Sequence, residues 1–282
     1  MIVVMTSMNG LLEPSLVSGN VIKELIIPRE GFLILTKVDC QVDPGCGTNT
    51  GFNTAAAESV INQKGLNREH IFDSMEASSK RLQPEYVDMQ PRHDVVKAGY
   101  VRYIGMSSCY AYQSTSLSSP SSPNTLSHPF FVPVIQMQNY AITHNQTPFI
   151  SMQNHYSLMY REEEREMFPT QKMYGVASIP WSPLARRPNT ASSKRGDIYP
   201  ILARYKTQAN LVEELAKTKG VEMAQVALAW IFAKPGGSAP IIGTTNLSNL
   251  EELLGALDIK LSKEEVKYLE EPYKPMIVVG AL

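Results

Sequence analysis

Short, nearly continuous apolar runs alternate along the chain with polar turns and with segments whose apolar residues recur at helical spacing. Apolar runs of this kind are typical of strands covered on both faces, and their alternation with helices indicates a parallel sheet with helical crossovers. The predicted strands are 32–38, 101–106, 149–154, 176–181 and 239–243, with a weaker one at 85–89. We therefore expect an α/β protein.

Helical spacing is clearest in residues 66–82, in a segment that ends at Gly220, and in residues 222–233. The pattern Ser-x-x-Glu at 248–251 and again at 262–265 predicts two further helix starts. In such a capping box the hydroxyl and the carboxylate satisfy backbone N–H groups that the first helical turn leaves unpaired.

One long stretch interrupts this alternation. Residues 114–135 are rich in Ser and Pro and have neither helical nor strand periodicity. The composition predicts a disordered or poorly packed insertion. A functional lid is the alternative, because long loops in compact domains are often one or the other.

Composition restricts the class of partner. The chain has 282 residues, of which 43% are hydrophobic, and its formal net charge is -1. This balance supports a buried core and provides no basic surface for nucleic acid or anionic lipid, so small molecules or proteins are the expected partners. Cys40, Cys46 and Cys109 lack metal-ligand spacing, and the apolar start of the chain is too short for a signal core or a membrane span. We therefore expect a cytoplasmic protein with reduced thiols and no bound metal.

Two strand ends carry residue types that suit a nucleotide. The segment 240–248 runs from an apolar strand through a hydroxyl-rich turn into a capped helix, and a helix N-terminus with nearby hydroxyls is suited to phosphate. An ordinary capped turn is the alternative. Trp181 ends the preceding predicted strand, where its ring is either a core residue or a surface on which a planar ring stacks.

Three segments together resemble a known family. These are V-R-Y-I-G-M-S-S at 101–108, F-I-S-M-Q-N-H-Y at 149–156 with its charged continuation to 167, and W-S-P-L-A-R at 181–186. In this order they are similar to the fungal and yeast branch of the aldo-keto reductase family. The resemblance implies a single (β/α)8 TIM barrel domain over 1–282, with NADP(H) bound at the carboxyl ends of the strands.

The resemblance also implies roles for individual residues. Ser107, Ser108 and Gln153 would hold the nicotinamide carboxamide, and Trp181 would stack against the nicotinamide ring. The residues implied for the rest of the cofactor follow strand ends: Ser182, Leu184 and Arg186 along the pyrophosphate, and Gly243, Thr244, Asn246, Asn249 and Glu252 around the adenosine. The family often has Lys or Arg where the two asparagines stand, and a cation favours the 2′-phosphate, so NAD(H) is the alternative cofactor.

The catalytic residues that the resemblance implies are only partly present. Family catalysis uses a Tyr proton donor that a Lys and an Asp tune and a His orients. Lys37 matches the Lys, but Ile2 stands where the Asp belongs and Ser7 where the Tyr belongs. The expected His is skipped, because residues 86–90 run almost directly into His93, which belongs to the downstream helix.

The same gaps affect the predicted scaffold and activity. They predict a barrel without its first strands and part of its fourth β/α unit, and hence of marginal stability. The first functional hypothesis is an NADP(H)-dependent reductase of a small aldehyde or ketone in fungal secondary metabolism or detoxification. The alternatives are a catalytically silent cofactor-binding protein and a non-functional fragment. The charge run 161–166 is interpreted as a solvated helix start.

Overall fold

A computed structural model provides the coordinates of the chain. The residues that it describes are 2–7, 20, 24, 28, 32–37, 68–82, 87–89, 93–107, 133–185, 195–235, 239–244 and 246–276. They belong to two compact units, one formed by 1–106 and 138–150 and the other by 107–137 and 151–282. The three cysteines lie outside the described residues, and so does most of the predicted insertion at 114–135. Its last three residues, 133–135, are part of a helix.

Parallel strand pairing organises the sheet. The strands are β1 (Ile2–Ser7), β2 (Phe32–Lys37), β3 (Val87–Met89), β4 (Val101–Ser107), β5 (Phe149–Gln153) and β6 (Ala177–Ser178). In the first unit β1 pairs with β2, β2 with β3, and β3 with β4, all in parallel. In the second unit β5 and β6 pair in parallel.

Eight α-helices lie in the described part of the chain. They are α1 (Arg68–Leu82), α2 (His93–Lys97), α3 (Pro133–Thr143), α4 (Met167–Tyr174), α5 (Arg195–Lys219), α6 (Met223–Ala233), α7 (Leu247–Leu254) and α8 (Lys263–Glu270). Short 3-10 turns occupy Glu162–Glu164 and Gly255–Asp258. Among these described helices, none combines the length and the apolar character that crossing a membrane requires.

The core of the first unit forms between α1 and the strands, as the helical spacing of 66–82 predicts. Its buried members come from β2, α1, β3, α2 and β4: Ile34, Ile71, Met75, Leu82, Val87, Val95 and Val101. Burying a side chain of this size contributes about 1.5–3 kcal/mol, so the apolar face of α1 is a main source of this unit's stability.

Polar contacts hold the part of the chain that leads from α3 into β5. Gln138 of α3 is buried, and its amide donates to the Phe149 carbonyl at 2.8 Å and accepts from the Phe149 N–H at 3.0 Å. His93 begins α2, which confirms its assignment to the downstream helix. Its Nδ1 accepts the Thr147 N–H at 3.0 Å and lies 2.8 Å from the Thr147 hydroxyl.

The core of the second unit lies between α5, α6 and α8. Its buried members are Tyr156, Leu158, Val212, Leu215, Ala216, Val226, Trp230, Ile231 and Leu269. The helix ends agree with the sequence pattern: Gly220, with φ of 67°, follows α5 in the left-handed conformation, and Ser262 and Glu265 form the predicted capping box of α8.

Three strand predictions need correction. Residues 2–7 form β1, although the apolar start of the chain did not predict a strand. The run 176–181 contains only the two-residue strand β6, and residues 239–243 are not a strand. The last segment is nevertheless held beside β6, because the Ile241 N–H donates to the Pro180 carbonyl at 2.8 Å. A single backbone hydrogen bond is not enough to define a strand. An apolar run in the sequence does not show how many backbone hydrogen bonds the neighbouring segments will provide.

Candidate cofactor site

The parallel ladder between β5 and β6 continues past the ends of both strands. The Ile179 N–H donates to the Met152 carbonyl and the Trp181 N–H to the Asn154 carbonyl, each at 2.8 Å. A parallel bridge between His155 and Trp181 follows. The backbone therefore fixes residues 153–155 beside residues 179–181, at the carboxyl ends where the cofactor residues are predicted.

Ser107 and Gln153, two of the three residues predicted to hold the carboxamide, lie next to each other. The Ser107 hydroxyl donates to the Gln153 carbonyl at 3.4 Å, and both residues are half-buried. Ser108 lies outside the described residues. The end of β4 thus contacts the end of β5 through a side chain that the sequence assigned to the cofactor.

The ring of Trp181 belongs to a stack of three rings. His155 lies parallel to it, with centroids 4.2 Å apart and planes 11° apart, and Tyr160 lies against His155 at 4.3 Å and 12°. Tyr160 is buried, whereas Trp181 and His155 are half-buried. The stack fixes the plane of the indole. The sequence motifs do not predict the roles of His155 and Tyr160, although His155 lies only two residues from Gln153.

The turn after Trp181 has an unusual backbone. Ser182 and Ala185 have φ of 54° and 55°, and the Ala185 N–H donates to the Ser182 carbonyl at 3.1 Å. A left-handed conformation costs a residue with a Cβ about 1–2 kcal/mol, and such positions concentrate at functional sites. Leu184, between them, is exposed, and Arg186 lies outside the described residues. The strain supports the assignment of this turn to ligand binding.

The turn before α7 presents exposed polar groups. Gly243 and Thr244 are exposed, and the Thr244 hydroxyl accepts the Asn246 N–H and donates to the Asn246 carbonyl, each at 3.2 Å. The Asn246 side chain accepts the Ser248 N–H at 2.9 Å and caps α7. The capping box predicted at 248–251 is therefore wrong, because α7 begins one residue before Ser248 and Asn246 supplies the cap.

Asn249 and Glu252 are both exposed on α7. The carbonyl of Glu252 accepts from the Gln225 amide of α6 at 2.7 Å, which fastens α7 to the core of the second unit. The two residues predicted for the adenosine end are thus carried on a helix whose position is fixed.

The chemistry of these groups fits a nicotinamide dinucleotide. A hydroxyl and an amide lie at the β4 and β5 ends, an aromatic ring follows β6, and a polar turn leads into a capped helix. Residues 235–259 contain neither Lys nor Arg, so this segment supplies no cation for a 2′-phosphate. In the described part of the chain, no group of His, Cys, Asp and Glu could hold a metal ion.

Lys37 lies where the sequence predicts it, at the carboxyl end of β2. The backbone register places Ser7 opposite Lys37, and it places Ile2 opposite Phe32 at the other end of the strand pair. The alignment that put Ile2 at the position of the catalytic Asp is thus five residues from the strand end that holds Lys37. Ser7 shares the carboxyl edge with Lys37.

A partly buried charge network includes residues of the segment 161–166, which the sequence predicts to be a solvated helix start. Arg161 donates to Glu164 through Nε at 3.1 Å and Nη2 at 2.7 Å, and to Glu270 at 3.2 Å. Glu270 also accepts from Trp230 Nε1 at 2.9 Å and from Lys234 at 2.7 Å. The Arg161 side chain is only 11% exposed and Glu162 is buried, so the prediction of a solvated segment is wrong for these two residues, whereas Arg165 and Glu166 are exposed. The residues pair with α6 and α8, which the local charge pattern does not show.

The network sets the protonation of its members. Burial raises the pKa of Tyr156 far above its usual range, and its hydrogen bond to Glu164 raises it further. Burial alone would raise the pKa of Glu164, but the hydrogen bonds from Arg161 and Tyr156 hold it below its usual value. Tyr156 is therefore a neutral hydrogen-bond donor at every physiological pH, and Glu164 is an anion.

A second anchor ties the end of the described chain to this segment. Glu162 is buried, and one of its oxygens accepts from the Tyr273 hydroxyl at 2.6 Å and from the Met276 N–H at 2.7 Å. Its other oxygen pairs with Arg165 at 2.9 Å. Burial, followed by the hydrogen bond to Glu162, raises the pKa of Tyr273. Both carboxylates that flank position 163 thus have cationic or phenolic partners.

Comparison with known proteins gives consistent results. Residues 92–274 match the sequence profile of the Aldo/keto reductase family. A putative aryl-alcohol dehydrogenase of Schizosaccharomyces pombe is 37% identical over 94% of this chain and 78% of that protein. The versiconal hemiacetal acetate reductase of Aspergillus parasiticus is 35% identical over 92% of this chain and 79% of that protein.

Among solved structures, a thermostable aldo-keto reductase crystallised with the inhibitor epalrestat is similar to this chain. The TM-score is 0.60 at 24% identity, and the match covers 92% of this chain and 77% of that one. This similarity confirms the predicted (β/α)8 barrel fold.

Proposed function

This chain belongs to the aldo-keto reductase family, whose members use nicotinamide cofactors on small carbonyl substrates, and on that premise we propose that it binds NADP(H) and reduces an aldehyde or a ketone. One observation carries the proposal: the backbone ladder brings the end of β5, with Gln153, beside Trp181, and Ser107 contacts Gln153. The hydroxyl of Ser107 and the amide of Gln153 suit the carboxamide of a nicotinamide, and the ring of Trp181 suits the nicotinamide ring.

The residues of the second unit would bind and orient the cofactor. Ser107 and Gln153 hold the carboxamide, and Trp181, whose plane the His155 stack fixes, supports the ring. When bound, the cofactor would supply a hydride for the carbonyl carbon. Correct orientation matters because hydride transfer depends on the angle and distance between the reacting carbons.

The residues at the ends of β1 and β2 would take part in the transfer of a proton to the carbonyl oxygen. Lys37 is the cation that the family places near the carbonyl oxygen, and Ser7 lies opposite it in the strand register. A serine hydroxyl is a far weaker acid than a tyrosine, and loss of a general acid typically lowers turnover about 10²- to 10⁴-fold. We therefore propose slow reduction by this chain.

A catalytically silent cofactor-binding protein is the second candidate. Ser7 favours this candidate. The residues assigned to the cofactor are present, whereas the residue at the position of the catalytic Tyr has no phenol that could donate a proton. A non-functional fragment is the third. Binding of the cofactor with turnover supports the first candidate, binding without turnover the second, and neither folding nor binding the third.

The proposed setting is fungal. Several similar proteins are fungal, and the name of one, the versiconal hemiacetal acetate reductase, describes a reductase acting on a particular hemiacetal acetate. We propose a cytoplasmic enzyme of secondary metabolism or detoxification with a small-molecule carbonyl substrate. NADP(H) is the preferred cofactor, with NAD(H) as the alternative because residues 235–259 carry no cation.

Titration with NADPH tests the proposal directly. Binding is followed by the emission of NADPH itself, with NADH as the comparison and turnover measured on a generic aldehyde. We expect saturable binding that Trp181→Ala weakens about fivefold, since ring stacking contributes on the order of 1 kcal/mol.

The matched control for Trp181→Ala is Tyr140→Ala, which removes another ring stacked on a histidine, His144, at 3.9 Å. Its dissociation constant for NADPH should equal that of the wild type. Equal constants for Trp181→Ala and the wild type would contradict the assigned ring. If the wild-type chain binds no NADPH, both functional candidates fail.

A further inference from the structure

Asn154 connects two parts of the proposed cofactor site. It follows Gln153 and precedes His155, whose ring stacks on Trp181. The Asn154 side chain is fully buried, and its backbone carbonyl accepts the Trp181 N–H at 2.8 Å. Any displacement of Asn154 therefore moves both the residue predicted to hold the carboxamide and the residue predicted to stack on the ring.

The side-chain amide of Asn154 is held from both sides. Its Nδ2 donates to Glu163 Oε2 at 3.0 Å, and its Oδ1 accepts from Gln171 Nε2 at 2.6 Å. An ionised carboxylate only accepts, so Glu163 fixes which way the amide of Asn154 points. Gln171, on α4, is itself buried. The three side chains form a chain of hydrogen bonds from the 3-10 turn at Glu162–Glu164 to α4, with Asn154 at its centre.

Glu163 differs from the two carboxylates beside it. Glu162 pairs with Arg165 and Glu164 with Arg161, whereas Glu163 has no ion pair among the residues that the structure describes. Burial raises the pKa of Glu163 to about 7, the hydrogen bond from Asn154 opposes this shift, and the charge of Glu162 adds to it.

Helix α4 packs against this turn, and Glu270 and Tyr273 contact its neighbours Arg161 and Glu162. The titratable side chains of α4 are Lys172, which is exposed, and Tyr174. None of these four groups is a cause of the shift at Glu163. The charge of Glu163 is therefore governed by its burial and by two neighbours, Glu162 on the turn and Asn154 just after β5.

We propose that Glu163 is a positioning residue of the cofactor site, which holds the Asn154 amide and thereby fixes Gln153 and the ring of Trp181 in their binding geometry. This inference rests on the proposed function. A neutral glutamine could also accept the hydrogen bond from Asn154, but only a carboxyl group changes its charge with pH. The hydrogen bond from Asn154 is charge-assisted when Glu163 is ionised and weaker when it is protonated. Cofactor affinity should therefore rise as Glu163 loses its proton.

The experiment compares NADPH dissociation constants from about pH 6 to about pH 8, a range that brackets the titration of Glu163. Three variants are measured beside the wild type. Glu163→Ala removes the acceptor, and Glu163→Gln keeps an acceptor without a charge. Glu166→Gln removes an exposed carboxylate of the same segment, whose side chain caps nothing, and is the matched control. The 2′-phosphate of NADPH also titrates near pH 6, and all four proteins share that contribution.

We expect Glu163→Ala to weaken NADPH binding about tenfold at high pH, which corresponds to the loss of a charge-assisted hydrogen bond. At low pH, Glu163→Gln should bind NADPH with an affinity within about threefold of that of the wild type. At high pH it should lack the gain in affinity that the wild type shows. Glu166→Gln should follow the wild type throughout. The inference is overturned if Glu163→Ala and Glu163→Gln both match the wild type in affinity and in pH profile.

A measurement without cofactor separates this inference from the proposed function. The emission of Trp181 in the free protein should shift with pH around 7 in the wild type and in Glu166→Gln, and remain constant in Glu163→Gln. Trp181→Phe identifies the contribution of this tryptophan against that of Trp230. If NADPH does not bind but this shift is present, the proposed function fails and the coupling of Glu163 to Trp181 stands. If the shift also persists in Glu163→Gln, the coupling is refuted.

Discussion

The carboxyl end of the β5–β6 pair and the carboxyl end of the β1–β2 pair hold the two halves of the proposed chemistry, and they differ in how they are built. At the first, a continued backbone ladder, a stack of three rings and buried hydrogen bonds surround Gln153 and Trp181. At the second, the strand register brings Ser7 opposite Lys37, and Ser7 lacks the acidity that the family's reaction requires.

The difference shows that binding and proton transfer depend on the fold to different degrees. Trp181 and Asn154 are part of the ladder and the stack, so their loss would disturb the surrounding structure. A residue at position 7 needs only to be compatible with a parallel strand, and serine meets that condition.

The largest effect is expected at Arg161. Arg161→Ala removes one of the two cations that Glu164 and Glu270 share and leaves only Lys234, and removing one partner of a buried ion pair costs up to about 3–5 kcal/mol. Urea denaturation should show this loss in the free energy of unfolding. Lys217→Ala, which breaks an exposed pair with Glu213, is the control and should cost less than about 0.5 kcal/mol. Equal effects of the two variants would show that the Arg161 network does not stabilise this region.

The second effect is a pH dependence of stability that originates at Glu163. Because burial raises its pKa to about 7 in the folded chain, the folded state binds the proton more tightly than the unfolded state does. This contribution is fully present below the unfolded pKa and is lost as pH rises through about 7, and it amounts to at most about 3 kcal/mol.

Denaturation of wild type and Glu163→Gln at several pH values checks this prediction. Wild-type stability should fall between about pH 5 and about pH 8 relative to that of Glu163→Gln, in which this position does not titrate. Parallel curves for the two proteins would mean that Glu163 does not bind a proton more tightly in the folded chain.

The third effect tests the β1–β2 end by restoring an acid. Ser7→Tyr should raise the turnover of a generic aldehyde by about 10²-fold, the lower end of what general acid catalysis contributes. The gain should disappear when Lys37→Met is added, and the dissociation constant for NADPH should stay the same in all three proteins. If Ser7→Tyr leaves turnover unchanged while the cofactor binds, the second candidate, a silent cofactor-binding protein, is favoured.

The smallest effect is expected at the start of α7. Asn246→Ala removes the side chain that accepts the Ser248 N–H, and the loss of such a cap costs about 1 kcal/mol. Thermal unfolding in the absence of cofactor measures this cost. Ser248→Ala is the matched control, and it should change the melting temperature less. A larger decrease in melting temperature for Ser248→Ala than for Asn246→Ala would indicate that Ser248 caps the helix, as the sequence pattern at 248–251 predicted.

Local pattern was sufficient for most of the elements. Residues 32–37, 101–107 and 149–153 form strands because their apolar runs suit burial on both faces, and α1 and α6 follow from helical spacing. The family motifs also identified Ser107, Gln153 and Trp181, which the structure brings to neighbouring strand ends. These features depend on residues close together in the sequence.

Tertiary structure decided what depends on distant partners. The charges of 161–164 look like a solvated surface along the chain, but the partly buried Arg161 and the buried Glu162 pair with Glu270 and Tyr273, more than a hundred residues away. The role of Glu163 likewise follows from its contact with Asn154 rather than from its own neighbours in sequence. A charged side chain becomes buried or solvated according to the partners that the fold brings to it, and a local pattern contains no information about those partners.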